Sequence, residues 1–201
     1  MHGRGPEVEH PDPFGDALPT LVGARVRLRP VREADVPDVL AMLGDGSHLR
    51  FWSHGPLADL DAARTYVEGM NRGFAERSLF QWVAADPETD RLVGTVTFVG
   101  WDRQNRRCEL GFILHPYHTG KGLASDAVRT ALAFAVDTMG LHRVEADVDP
   151  ENTASARLLE RLGFRLEGRF RERWFTWFEE WKDSAMYGLL ADDLVRGAEG
   201  G

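Results

Sequence analysis

Two short segments and one carboxylate carry residue types that could do chemistry. The first segment is His118-Thr119-Gly120-Lys121-Gly122-Leu123-Ala124. Glycines one residue apart let the backbone turn sharply and aim successive N–H groups outward, and a helix opening at Leu123 adds partial positive charge, which together make a seat for phosphate. Two other phosphate motifs fail on spacing. A P-loop has four residues between its glycines and then Lys-Ser or Lys-Thr, whereas Lys121 is followed by Gly122, and a dinucleotide fingerprint needs glycine where Ser125 stands. A plain glycine turn is the competing explanation. The second segment runs from Asp149 to Phe164. Asn152 suits a helix N-cap, and Leu158, Leu159 and Leu162 suit a core. Ser155 shares their stripe, and a half-buried hydroxyl there calls for a partner. The carboxylate is Glu109, a candidate general base whose simpler role is an exposed strand acid paired with an arginine.

The elements that must position these residues follow from periodicity. Residues 24–29 alternate apolar and cationic types and read as a half-buried strand. Helical spacing follows at Val36, Val39, Leu40 and Leu43, and a second helix is expected over residues 59–76. Residues 80–85 and 92–101 read as strands joined by an acid-rich, proline-containing turn. In the strand at residues 107–114, Cys108, Leu110, Phe112 and Leu114 take one face, and Arg107, Glu109, Gly111 and Ile113 take the other. An amphipathic helix is expected from Leu123 to Met139, ending at Gly140. A strand at residues 143–148, a helix at 152–162 and two or three strands within 164–190 complete an α+β, mixed α/β order.

Composition bounds the function. One folded unit is expected over residues 21–196, preceded by a flexible acidic arm over residues 1–20 and followed by a disordered tail over 197–201. The net charge of −8 argues against a large nucleic-acid footprint and accommodates a cationic partner such as an amine. A lone cysteine, Cys108, excludes an intramolecular disulfide framework and points to a reducing cytoplasm. No apolar run reaches the length of a membrane span. His115 and His118 lack further ligands nearby, so no metal site is expected.

On Glu109-Leu110-Gly111-Phe112, Gly120-Lys121-Gly122-Leu123-Ala124, Asn152-Thr153-Ala154-Ser155 and Leu162-Gly163-Phe164, the sequence resembles the GNAT superfamily of acyl-CoA N-acyltransferases. Val26-Arg27-Leu28-Arg29-Pro30 and Tyr187-Gly188-Leu189-Leu190 narrow the resemblance to the RimJ/RimL branch. The resemblance implies a GNAT fold: a central, mostly antiparallel twisted sheet of about seven strands flanked by helices, with a splay between the fourth strand (107–114) and the fifth (143–148). It implies that acetyl-CoA, as co-substrate, lies in that splay, contacting Phe112, Ile113 and Leu114 with its pantetheine arm and His118, Thr119, Gly120, Lys121, Gly122, Leu123 and Ala124 with its diphosphate. Asn152 would hydrogen-bond the arm, Ser155 would lie near the thioester sulfur and donate a proton to the departing thiolate, and Glu109 would deprotonate the amine through water. Trp52 and Trp177, the latter in an aromatic run with Trp174, Phe175, Phe178 and Trp181, are expected to wall the acceptor pocket, with an aromatic core or a dimer contact as the alternative for that run. The expected function is direct acetyl transfer to a protein or peptide N-terminal α-amine by a monomer or homodimer. A polyamine or aminoglycoside acetyltransferase and a non-catalytic acyl-CoA-binding module are the alternatives.

Overall fold

The computed structural model describes residues 12–196, so residues 1–11 of the expected arm and the expected tail lie outside the described residues. Eight strands form a single sheet in the order β1-β2-β3-β4-β5-β6-β8-β7. They are β1 (Leu21–Val22), β2 (Arg27–Arg29), β3 (Leu79–Ala85), β4 (Leu92–Asp102), β5 (Arg107–Leu114), β6 (Arg143–Val148), β7 (Arg165–Phe175) and β8 (Trp181–Leu190). Every neighbouring pair is antiparallel except β5 and β6, which run parallel because the helix α3 (Leu123–Asp137) crosses between them. α1 (Val36–Leu43) and α2 (Leu60–Ala75) contribute to a buried cluster with Val83, Ala85 and Leu92. The larger cluster unites Leu28, Trp82, Phe98 and Leu110 with α3 and with Leu158, Leu159 and Leu162, of which the first two lie on α4 (Thr153–Arg161). Side-chain caps start two helices: Asp59 accepts from the Ala62 N–H at 2.9 Å, and Asn152 accepts from the Ser155 N–H at 3.1 Å.

The expected mixed α/β fold is present, with two corrections. The sheet has eight strands, because residues 21–29 fold back as a hairpin instead of one strand from Ala24, so the strands expected as fourth and fifth are β5 and β6. Asp126, in the first turn of α3, holds that hairpin's turn: its carboxylate accepts the N–H groups of Ala24, Arg25 and Val26 at 3.3, 2.7 and 3.1 Å. Gly23 permits this approach, since a Cβ there would stand 2.5 Å from Asp126 Oδ2. The second correction concerns residues 12–20, which pack against the domain. Phe14 stacks on Phe80 with ring centroids 4.6 Å apart, Leu18 is buried, and the Pro19 carbonyl accepts the Trp82 indole N–H at 2.9 Å. Two apolar anchors four residues apart outweigh the proline and glycine around them.

Candidate active site

The parallel pairing of β5 and β6 stops almost as soon as it begins. Register partners run Arg107 with Arg143, Cys108 with Val144 and Glu109 with Glu145, and no further. Beyond Glu109, β5 stays paired to β4 through Leu114, and β6 continues beside β8 through Val148. The facing edge of residues 110–114 therefore has no strand against it, and an extended chain carrying amide groups can pair there. This is the expected splay. At the far end of β5, a single 3₁₀ turn (Pro116–His118) leads to the glycine turn, where Gly120 and Gly122 adopt φ values of +75° and +76°. Gly122 is the N-cap residue of α3, so the first N–H groups of a 15-residue helix open beside it. Among the described residues Lys121 forms no ion pair, and the Arg25 guanidinium donates to its carbonyl at 3.4 Å.

A cleft of about 390 Å³ opens at the splay. Glu109, Phe112, Asn152, Ser155 and Trp52 all line it, as do Asp147, Trp174 and Phe175. Ile113 and Leu114 lie outside this lining: Ile113 packs toward the α1–α2 cluster and Leu114 toward the α3 cluster, so what they offer the splay is backbone. The segment from His118 to Ala124 also lies outside this lining and follows β5 through the Pro116–His118 turn. Trp177 does not line the cleft. Its indole N–H donates to the Leu49 carbonyl at 3.3 Å and its ring covers Gly46 and Gly55, so it fastens the loop after α1 to the β7–β8 turn. Bulges in the β7–β8 ladder, between Leu166 and Gly168 and between Phe170 and Trp174, turn Trp174 and Phe175 toward the cleft instead.

Glu109 is half-buried and has neither an ion pair nor a hydrogen bond from its carboxylate to another described residue. The arginine pairing that would make it a surface strand acid goes elsewhere: Arg107 and Arg143 bind Glu145 at 3.0 and 2.8 Å, and Arg173 binds Asp147 at 3.2 Å. Burial raises its pKa above the ordinary carboxylate value, with the Asp147 charge adding to the rise, Arg173 opposing it, and Glu145 adding a little more. Ser155 presents a half-buried hydroxyl that makes no hydrogen bond to a described residue. Asn152 uses its carbonyl oxygen as the α4 cap, which leaves its amide N–H₂ available to a ligand. Cys108 is 1% exposed, and burial pushes its thiol far above the usual range, which removes it as a nucleophile.

Sequence reasoning passes over Asp147, whereas Trp174 and Phe175 belong to the aromatic run expected near the acceptor pocket and do line the cleft. The signal for Asp147 was present: along β6, Val144, Ala146 and Val148 are buried, so alternation turns Asp147 to the face of Glu145 and Glu109. Among the described residues no cluster of three or more His, Cys, Asp or Glu could hold a metal, and no helix is long and apolar enough to cross a membrane.

Known proteins share this architecture. The sequence matches the family described as Acetyltransferase (GNAT) domain over residues 25–165. A probable N-acetyltransferase of Bacillus subtilis, YjcK, is 36% identical over 183 residues, covering 86% of this chain and 98% of that protein. An uncharacterized N-acetyltransferase of Bacillus licheniformis, p20, is 32% identical over 155 residues, covering 77% and 87% respectively. Among solved structures, Mycobacterium smegmatis RimJ in complex with CoA-disulfide superposes with a TM-score of 0.79 at 25% identity, covering 90% of this chain and 91% of that one. A splayed β5–β6 pair, a glycine turn opening α3 and a family match across both are the features of one enzyme class, and the chain belongs to the GNAT family of acetyl-CoA-dependent N-acetyltransferases.

Proposed function

We propose that this enzyme acetylates the α-amine at a protein or peptide N-terminus, with Glu109 as the base. One observation carries the reading: Glu109 is the cleft carboxylate left without a partner, at the point where β5 and β6 part. An α-amine with a pKa near 7.8 is roughly a tenth neutral at pH 7, whereas a lysine near 10.4 is neutral in well under a thousandth of molecules. A single half-buried carboxylate suits the easier deprotonation.

Acetyl-CoA is the first substrate. Its pantetheine amides pair with the open edge of residues 110–114, its diphosphate takes the N–H groups of the Thr119 to Ala124 turn, and the Asn152 amide binds the arm. The amine nitrogen attacks the thioester carbonyl, a C–N bond forms and the C–S bond breaks. Glu109 accepts the amine proton through a water molecule, and a backbone N–H between Phe112 and Leu114 holds the oxyanion. Ser155 donates a hydrogen bond to the departing sulfur. Complete proton transfer from a serine to a thiolate of pKa about 8.5 is uphill, so the thiolate takes its proton from solvent.

Relatives differ in acceptor. One Escherichia coli relative is named a spermidine N(1)-acetyltransferase (28% identical over 151 residues), and another a ribosomal protein uS5 alanine N-acetyltransferase (29% over 129 residues). Thiol release from acetyl-CoA, measured over peptides with free and N-acetylated termini, spermidine and an aminoglycoside, separates the readings. Turnover of the free-terminus peptides, abolished by N-terminal blocking, is the expected result. Preferential turnover of spermidine would replace the peptide with a polyamine.

A further inference from the structure

One buried carboxylate ties together the cleft wall beside Glu109. Asp147 has a side chain only 5% exposed. The Ser184 hydroxyl donates to its Oδ1, while the Trp174 indole N–H at 3.0 Å and the Arg173 Nε–H at 3.2 Å both reach Oδ2. Three strands, β6, β7 and β8, thus meet at one side chain. Trp174 lies on the edge strand and is 44% exposed, so packing alone holds it poorly, and this hydrogen bond fixes it as part of the cleft lining. The core does not need a charge here. Asp147 sits in the cleft lining with Glu109, and its own counter-ion, Arg173, is also close enough to act on Glu109.

We propose that Asp147 and Arg173 are the positioning pair of the acceptor cleft, holding Trp174 as its wall and setting the charge against which Glu109 works. The proposal rests on Glu109 being the base. Like charge from Asp147 favours the protonated form of Glu109, and Arg173 favours the ionised form. The other charged or titratable groups around Glu109 are Arg107 on its own strand, Glu145 on β6, Lys182 and Asp183 on β8, Asp149 before α4, Arg50 and His54 in the loop after α1, and Tyr66 on α2. Glu145 is already shared by Arg107 and Arg143, and Lys182 is held by Glu180 at 2.8 Å, which leaves Asp147 and Arg173 as the opposed pair.

Asparagine separates charge from geometry at this position. Its amide oxygen, placed where Oδ2 lies, accepts from both Trp174 and Arg173, and its N–H₂ donates to Ser184, whose hydroxyl rotates to accept. The Asp147→Asn protein therefore keeps the wall and loses the charge. The test is titration of the Glu109 side-chain carboxyl by ¹³C NMR in the full chain, with kcat/KM for a peptide acceptor measured across pH in parallel. Asp147→Asn moves the Glu109 midpoint to lower pH and Arg173→Gln moves it to higher pH. The ratio of kcat/KM at pH 5.5 to that at pH 8 rises roughly twofold or more in the first variant and falls in the second. Trp174→Phe removes the indole donor without removing either charge, so it raises the acceptor KM and leaves the midpoint in place. Midpoints that stay fixed, or that move in the same direction in the two charge variants, overturn the proposal. If the midpoints move in opposite directions while Glu109→Gln keeps full activity, the charge pair stands and Glu109 is not the base.

Discussion

Replacing Glu109 by glutamine gives opposite effects on activity and stability. The side chain keeps its size and loses its ability to take a proton. A positioned general base contributes roughly 10²- to 10⁴-fold, so kcat/KM for an α-amine acceptor falls by about that factor. Stability changes the other way. Burial raises the Glu109 pKa, Asp147 raises it further, Arg173 partly offsets the rise, and Glu145 adds to it. A carboxyl whose pKa is raised in the folded state contributes stability that is present below its unfolded pKa and is lost as pH rises through the folded value. Wild-type protein therefore pays for an ionised Glu109 at pH 8 and not at pH 4, and glutamine removes that cost. Thermal melting should show Glu109→Gln at least as stable as wild type at pH 8, with its relative advantage shrinking toward pH 4. Thiol-release kinetics on the same samples supply the activity. Activity within threefold of wild type would remove Glu109 as the base, and a Tm lowered equally at both pH values would mean that its buried charge carries no cost.

Gly122→Ala tests the phosphate seat. A Cβ at Gly122 meets only the Arg25 side chain, at 4.0 Å, so the cost comes from φ at +76°, about 1–2 kcal/mol if the backbone holds. Where the peptide rotates instead, a charged hydrogen bond of about 1.5–3 kcal/mol is lost, and calorimetry should show CoA binding weakened roughly 10- to 150-fold. An unchanged Kd would move the diphosphate elsewhere. Asp126→Ala orphans three backbone N–H groups at the β1–β2 turn, for a loss of about 2–4 kcal/mol. At about 2–4 °C per kcal/mol, Tm in differential scanning fluorimetry falls by roughly 4–16 °C, and a shift under about 2 °C would mean those donors find other partners. Asp90 anchors Arg29, Arg27 and Arg32; burial pushes its pKa up, but hydrogen bonds from these three arginines prevail and hold it at about 2. A depressed carboxyl stabilises above its unfolded pKa, so this contribution is lost as pH falls from about 4 toward 2. Asp90→Asn should flatten the acid limb of a Tm-against-pH curve over that window, and an unchanged limb would exclude the network as its source.

The strands and helices that frame the site were legible because each carries one clean period. Cys108, Leu110, Phe112 and Leu114 alternate with Glu109 and Gly111, and the structure keeps that alternation across β5. Asn152 and Ser155 were legible as a cap and an out-of-place hydroxyl, and both line the cleft. What Glu109 pairs with was not legible. Four arginines, 107, 143, 171 and 173, could each have reached it, and only the register of β5 on β6 and of β7 on β8 directs three of them away or into other pairs. Trp177 and Trp174 could not be told apart for the same kind of reason. Glu172 at φ +49°, with its N–H on Asp183 Oδ1 at 2.9 Å, breaks the alternation just before Trp174, and no periodic pattern announces such a bulge. Asp126 was hidden because its partners are main-chain groups about a hundred residues earlier, which no local window contains. Phe14 and Leu18 were hidden by their neighbours, since an average over a proline- and glycine-rich stretch dilutes two well-placed apolar side chains.

Direct transfer inside one cleft, without an acetylated enzyme, is the claim on which the site account depends. It requires acetyl-CoA on the β5 edge and the amine beside Glu109 to be bound together, and it leaves buried Cys108 without a role. Initial rates measured while acetyl-CoA and a peptide acceptor are varied against one another test this most directly. A ternary complex gives intersecting double-reciprocal lines and no mass shift when the enzyme is incubated with acetyl-CoA alone. Parallel lines, together with an enzyme heavier by one acetyl group that passes its label to the peptide, would contradict it.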